Sequence, residues 1–329
     1  MKEKTPGSSR IGVLTSGGDA PGMNAAIRAI YRAAYELDIE VAGIRRGYTG
    51  LIEGDFFRME RSHVVNIIHL GGTILGTSRT EEFKSWEGRQ RSAENLQNAG
   101  IDALIVIGGD GTFKGAARFN DETGIPTIGI PGSIDNDIPG TDFSIGFDTA
   151  INTALEAIDK IRDTAISHGR LFFVEVMGRS SDLIAIESGI AGGAEFLVLP
   201  EDKNAINDLC TQLSSSFSAG KRYAIVVVAE GNNPGCSFSI AKEVSDRLSI
   251  ESRVVVLGHI QRGGSPTARD RVLAAKLGVS AVYAYTKGHA GVMAGELKRN
   301  VVLTPFDKVI MGRNKPEQNI IRLAKILTK

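Results

Sequence analysis

The sequence predicts an α/β protein of two doubly wound domains, each built around a mainly parallel sheet. Three observations lead there. Short, almost continuous apolar runs rich in Val and Ile recur along the 329 residues, and strands that read this way are buried on both faces, as in a parallel sheet. Such runs are followed by loops, several of them glycine-rich, and then by apolar residues at helical spacing, which is βα alternation. The length exceeds what one core usually serves, and the pattern falls into two blocks.

In the first block, IGVLT (11–15) leads into SGGDAPG. NAAIRAIYRAAYEL then reads as a helix, because Ala26, Ile27, Ile30, Tyr31 and Ala34 fall three and four apart. ALIVI (103–107) repeats the plan, with GGDGT and a helix from about Phe113. PTIGI is a third buried strand, and it opens into PGSIDNDIPGTD before the long amphipathic helix TAINTALEAIDKIRDTA. In the second block LFFVEVM leads to GRSSD, FLVLP to a helix near 203–217, and YAIVVVAEG to a loop. RVVVLGHIQRGGSP precedes a helix at about 269–285. The first ten residues and the KPEQ stretch near the C-terminus read as candidates for disorder.

Bulk properties narrow the function classes. Lys+Arg and Asp+Glu balance at 38 each, so no global charge draws the chain to nucleic acid or an anionic membrane. The two cysteines lie in no metal-ligand spacing; one disulfide is formally possible, and a reduced, cytoplasmic protein is the expectation. MKEKTPGSSR has no apolar core of a signal peptide, and runs such as YAIVVVA fall far short of the roughly 20 residues of a membrane span.

Ligands of open α/β sheets bind at the carboxyl ends of the strands, where the unusual loops of this chain lie. TSGGDAPGMN sets Gly17, Gly18 and Gly22 between a strand and a helix, where free helix N–H groups attract an anion. A tight βα turn without a ligand has the same form. GGDGT adds Asp110, and an acid beside a phosphate loop calls for a cation; Mg²⁺ binds through one or two carboxylates plus phosphate oxygens. An Asx-type turn is the structural alternative. Neither loop matches the dinucleotide fingerprint or the P-loop, and the DxND of the third lacks an EF-hand's closing Glu, with Gly146 at that position.

Taken together, TSGGDAPGMNAAIR, GGTILGTSR, IVIGGDGT, PGSIDNDIPGTD, EVMGR, AEG and LGHIQRGGSP resemble the phosphofructokinase family of the bacterial, ATP-dependent type. The resemblance runs in family order from Ile11 to about Ala275. It implies two Rossmann-like domains with the active site in the cleft between them. The nucleotide-binding domain would be 1–146 plus 261–311, and the sugar-phosphate domain 147–260 plus 312–329. It implies transfer of the ATP γ-phosphoryl group to the 1-hydroxyl of fructose 6-phosphate. Asp135 then matches the catalytic base, Asp137 a supporting acid, and Ser133 stands where the family usually has Thr. Asp142 has no match and reads as a turn or capping residue. Asp110 matches the Mg²⁺ acid, and Arg79 and Arg179 the arginines that neutralise the transferring group. Gly18, Tyr48, Thr80, Gly109, Gly111 and Thr112 fall on the nucleotide side, with Lys84 and Arg89 near its border. Met177, Gly178, Glu230, His259 and Arg262 match the sugar-phosphate site.

Arg170 and Arg253 match arginines that reach in from a neighbouring subunit, which implies an oligomer, usually a homotetramer. Arg28, Arg32, Arg61, Arg162 and Lys221 match an effector site for ADP or phosphoenolpyruvate, where a further family lysine is Ala219. Asp182 replaces a usual Gly, and Thr80 an aromatic. Pyrophosphate-dependent relatives carry Asp and Lys where this chain has Gly111 and Gly132, which favours ATP. The alternatives are a pyrophosphate-dependent enzyme or a silent regulatory subunit, which would have lost Asp135 or Asp110. A Rossmann oxidoreductase lacks its fingerprint here, and a lipid or NAD kinase would share GGDGT without HIQRGG.

Overall fold

The computed structural model describes residues 9–199 and 204–328. The chain separates into two compact units. One runs through Thr149 and takes in Arg262–Arg313; the other comprises Ala150–Gln261 and the segment from Asn314 onward.

In chain order the first unit begins with β1 (Arg10–Ser16), α1 (Met23–Glu36), β2 (Glu40–Ile44), α2 (Gly47–Glu53) and β3 (Phe56–Arg58). It continues through α3 (Trp86–Asn98), β4 (Ala103–Gly108), α4 (Asp110–Thr123) and β5 (Thr127–Pro131). Helix α5 (Phe147–His168) carries the chain into the second unit. There follow β6 (Leu171–Val176), α6 (Leu183–Ala191), β7 (Phe196–Val198) and α7 (Ala205–Ser218). Then come β8 (Ala224–Ala229), α8 (Cys236–Leu248) and β9 (Ser252–Val256). The first unit is completed by α9 (Ala268–Thr286), β10 (Val292–Leu297), β11 (Asn300–Pro305) and α10 (Phe306–Ile310), and the second by α11 (Gln318–Leu327).

The first sheet has the order β11-β10-β5-β4-β1-β2-β3. Its centre is parallel, as the fully buried runs of β1, β4 and β5 require, while the outer pairs β2–β3 and β10–β11 are antiparallel. Strand order reverses between β1 and β4, so the crevice beyond their carboxyl ends is the topological switch point. Register puts Ser16, Gly108 and Pro131 side by side at that end. The loops beginning at Gly17, Gly109 and Gly132 therefore leave the sheet together, with successive strands about 4.8 Å apart. Helices α1 and α9 pack closely where Gly278 faces Ala26 and Ala29, since a Cβ there would press on both. The second sheet, β7-β8-β6-β9, is entirely parallel.

Several expectations move. Helix α4 starts at Asp110 rather than near Phe113, so Asp110 lies in its first turn. Of the two stretches suspected of disorder, residues 1–8 lie outside the described residues, Arg10 belongs to β1, and Gln318 opens α11. FLVLP contributes only Phe196–Val198 as strand; Pro200 and Lys203, at the expected start of the next helix, lie outside the described residues. Both cysteines are free thiols. Among the described residues no helix is long and apolar enough to cross a membrane.

Candidate active site

In the first unit the glycine loop after β1 is tied to its neighbours by threonines. The Thr112 hydroxyl donates to the Ser16 carbonyl (3.1 Å), joining the first turn of α4 to the end of β1. Thr77 donates to the Gly17 carbonyl (2.8 Å) and Thr15 to the Gly76 carbonyl (2.8 Å), which anchors the segment carrying exposed Arg79. Arg262 folds over the same loop, donating to the Asp19 carbonyl at 3.1 Å. A Cβ at Gly18 would collide with that guanidinium, so glycine is needed for the approach.

Asp110 stands at the start of α4, where the helix dipole favours its charge, and pairs with Lys114 at 2.7 Å. Gly111 beside it is exposed, with no atom within 4 Å of where a Cβ would stand. Gly132 is different: a Cβ there would meet the Met23 Cε at 3.0 Å and the Ile107 Cγ2 at 3.3 Å.

The loop after β5 folds on itself. A parallel bridge between Gly132 and Ile145 closes its neck. Asp135 is 6% exposed, and its amide donates to the Ser133 hydroxyl at 3.2 Å. Asn136 bonds to Asp142 and Ser144 across the loop. The Asp142 carboxylate accepts the Lys298 amide at 2.6 Å. That turn of the β10–β11 hairpin holds Lys298 and Arg299 at φ 50° and 68°, a conformation side chains resist. Asp142 thus serves a turn, as expected of an acid outside the chemistry. Downstream, buried Asp270 of α9 accepts the Gly146 and Thr149 amides (2.9 Å each) and the Thr149 hydroxyl (2.5 Å). Burial pushes its carboxyl above the usual range, against those bonds.

Four residues expected on or near the nucleotide side already have protein partners. Tyr48 is 5% exposed, stacks on Phe83 at 3.8 Å between centroids, and donates its hydroxyl to the Thr112 carbonyl at 2.7 Å. Its ring is core, and burial pushes its phenol up. Arg89 is 4% exposed and forks onto Glu122 (2.6 and 2.7 Å) and the carbonyls of Phe83 and Lys84. Its guanidinium is occupied by structure. Lys84 pairs with Glu81 on the surface, and the Thr80 hydroxyl accepts the Glu82 amide.

In the second unit the loop after β6 is held by side chains from two other strand ends. Gln261 accepts the Met177 amide at 2.8 Å, and Glu230 accepts those of Gly178 (3.3 Å) and Arg179 (3.2 Å). The loop is contorted: Gly178 has φ 150°, where a Cβ would strike the Ser181 carbonyl, and Arg179 has φ 48°. Exposed Arg179 and His259 belong to loops at the carboxyl ends of β6 and β9. Asp182 occupies the N-cap position of α6, where a negative charge is favoured by the helix dipole.

Arg170 and Arg253 sit elsewhere. They precede or begin β6 and β9 at the amino end of the sheet and share Glu251, at 3.9 and 2.5 Å. The six residues of β6, about 20 Å, separate Arg170 from the Met177 loop of its own chain, and Arg253 pairs with Phe172 near the start of that strand.

The basic residues expected at an effector site fall into two groups. Arg28 and Arg32 lie one turn apart on α1, with Arg61 on the short 3₁₀ turn that contacts that helix. In the second unit Arg162 and Lys221 both reach Glu195, at 3.6 and 3.0 Å. Sequence reasoning missed Glu195, Gln261, Asn136 and Thr77, which bond to backbone or to other residues of the site. Only Asn136 carried a signal, as an asparagine in a loop that reverses direction.

Comparison with known proteins agrees with this geometry. The family model for phosphofructokinase matches residues 10–285. The ATP-dependent 6-phosphofructokinase 1 of Thermus thermophilus is 53% identical over 318 residues, 97% of this chain and 99% of that one. The ATP-dependent 6-phosphofructokinase of Bacillus subtilis is 49% identical over 319 residues, with the same shares covered. Among solved structures, the Saccharomyces cerevisiae phosphofructokinase superposes with a TM-score of 0.85 at 34% identity. The match covers 97% of this chain and 47% of the yeast chain, about half its length. A pyrophosphate-dependent phosphofructokinase from Marinobacter aquaeolei has the same fold, with a TM-score of 0.84 at 22% identity. The chain belongs to the phosphofructokinase family.

Proposed function

We propose that this chain transfers the γ-phosphoryl group of ATP to the 1-hydroxyl of fructose 6-phosphate, giving fructose 1,6-bisphosphate and ADP, as a glycolytic kinase of the cytoplasm. The observation that carries the reading is a buried carboxylate, Asp135, in a loop that leaves the sheet beside two glycine loops at the switch point. Phosphoryl transfer needs positioning and charge neutralisation more than covalent help from the protein. Asp135 takes the proton from the 1-hydroxyl as its oxygen attacks phosphorus and the bond to ADP breaks. Arg79 and Arg179 offset the charge that develops. Glu230, Met177, Gly178, His259 and Arg262 hold the sugar phosphate.

Among the described residues no three His, Cys, Asp or Glu side chains gather as a metal cage. Half-buried Asp110 beside a phosphate loop suits Mg²⁺, which keeps its waters and takes one or two carboxylates plus phosphate oxygens. Asp110 would hold that ion with Asp137 in support, and the ion would supply positive charge to the phosphates. The open space at Gly111 supports a nucleotide donor over pyrophosphate. The amino-end location of Arg170 and Arg253 supports their use by a neighbouring subunit, and hence a homotetramer. The five effector-site basics fit a phosphate-bearing regulator.

The test supplies fructose 6-phosphate and Mg²⁺ with either ATP or pyrophosphate and follows fructose 1,6-bisphosphate. Product with ATP only is expected. Product with pyrophosphate only overturns the donor, and none with either favours a silent regulatory subunit.

A further inference from the structure

Asn136 lies between the two acids of the loop after β5 and belongs to neither the metal nor the charge-neutralising set. Its backbone sits at φ 51°, in the left-handed region that asparagine tolerates better than most residues. Its side chain is 5% exposed and fully engaged. Nδ2 donates to the Asp142 carbonyl at 2.9 Å. Oδ1 accepts the Ser144 amide at 2.7 Å and lies 3.1 Å from the Ser144 hydroxyl. That hydroxyl in turn donates to the Ser133 carbonyl at 2.5 Å. One side chain thus draws the returning limb, 142–144, onto the outgoing limb, 133–136. The same residue makes the backbone reversal that separates Asp135 from Asp137.

We propose that Asn136 is the positioning residue for the catalytic base. It touches no reacting atom; it holds the Asp135 carboxylate in register with the hydroxyl that is to be deprotonated. The inference rests on the reading of Asp135 as general base. Physically, a reacting group must be held to within about half an ångström by its supporting shell. A misplacement near 1 Å costs about 10²-fold in rate. The base sits on a loop rather than on a strand, so the precision has to come from bonds across the loop.

The backbone and side-chain contributions separate by substitution. Asn136→Gly accepts the left-handed backbone without strain and removes the side-chain bonds to Asp142 and Ser144, while the Ser144–Ser133 bond and the Gly132–Ile145 bridge remain. If the reversal were the whole role, this variant would be silent. The expected result is a folded protein, checked by melting temperature, whose kcat falls about 10²-fold while KM for ATP is unchanged. A role confined to folding would lower the melting temperature and the fraction of molecules that bind ATP, leaving turnover per ATP-binding molecule at the wild-type value.

Wild-type turnover per ATP-binding molecule in Asn136→Gly overturns the proposal. Should that variant fail to fold, Asn136→Asp takes its place. It is isosteric and keeps the Ser144 bonds, but it sets an acceptor against the Asp142 carbonyl. Its kcat, read on the plateau above the acid limb, should still fall about tenfold, one bond's worth near 1.4 kcal/mol, and a wild-type plateau overturns the proposal. Asp135→Asn separates the two levels of the argument. Full turnover in Asp135→Asn removes the base itself, whereas an inactive Asp135→Asn beside a fully active Asn136→Gly removes the positioning role only.

Discussion

The loop after β5 and the loop after β6 face the same problem and solve it differently. Both leave the carboxyl end of a central strand and carry residues proposed to act on the substrate. The first binds largely to itself: Asn136 and Ser144 span it, and Ser133 caps Asp135. Its outside anchors are Asp270, at its downstream end, and the β10–β11 hairpin, where the Asp142 amide donates to the Glu296 carbonyl and the Asp142 carboxylate accepts the Lys298 amide. The second is held at its start by side chains from elsewhere in its unit. Its successive amides at 177, 178 and 179 go to Gln261 and Glu230, which follow other strands. A self-bonded loop is set by a contiguous motif, whereas an externally bonded loop is set by the sheet register that brings its anchors near. Both loops hold positive φ, at Asn136 and Gly140 in the first and at Gly178 and Arg179 in the second. In the second they persist because the buried Glu230 carboxylate claims both amides.

The largest effect should come from the first loop. Asp135→Asn is expected to lower kcat by about 10²–10⁴-fold with substrate binding retained. Titration calorimetry with fructose 6-phosphate alongside turnover checks both halves, and near-normal turnover removes Asp135 as the base.

Next comes the second loop. Glu230→Ala leaves the buried Gly178 amide and the part-buried Arg179 amide without their acceptor, a cost of about 1–3 kcal/mol for the buried one. Because that cost falls on a strained segment, kcat/KM for fructose 6-phosphate should drop about 10–100-fold, since 1.4 kcal/mol is tenfold, while KM for ATP holds. An equal rise in both KM values would mean the two loops are not independently anchored.

The smallest effects test the donor argument and contrast two glycines. Gly111→Asp enters open space, so the melting temperature should hold while KM for ATP rises about tenfold, near 1.4 kcal/mol. Gly132→Lys must displace Met23 and Ile107, so it should lose about 1–3 kcal/mol of stability before any change of donor is seen. Thermal melts of the two variants side by side distinguish steric tolerance from function.

Much of the fold was legible in the chain. β1, β4, β5, β6 and β8 announce themselves as apolar runs, because a strand covered on both faces must be apolar at every position. The edge strands β11 and β3 and the neighbouring β10, VMAGEL, were not legible, since strands that are partly exposed mix polar and apolar residues. Asp135 and Asp110 could be named from their motifs. The partners of Tyr48 and Arg89 were not legible because burial cannot be read from residue type: an aromatic that stacks on Phe83 and an arginine that forks onto Glu122 look, in sequence, like exposed ligand residues.

By itself the sequence determined two βα blocks, the glycine loops, the acids within PGSIDNDIPGTD and the family to which they belong. These are local matters, set by periodicity, backbone freedom and residues a few positions apart. Only the tertiary structure decided which loops share a sheet end. Parallel register brings Ser16, Gly108 and Pro131 together although long crossovers separate them in the chain, and it delivers Glu230 and Gln261 to the amides after β6. Such pairings depend on hydrogen bonds between distant segments, and a linear reading holds no measure of those distances.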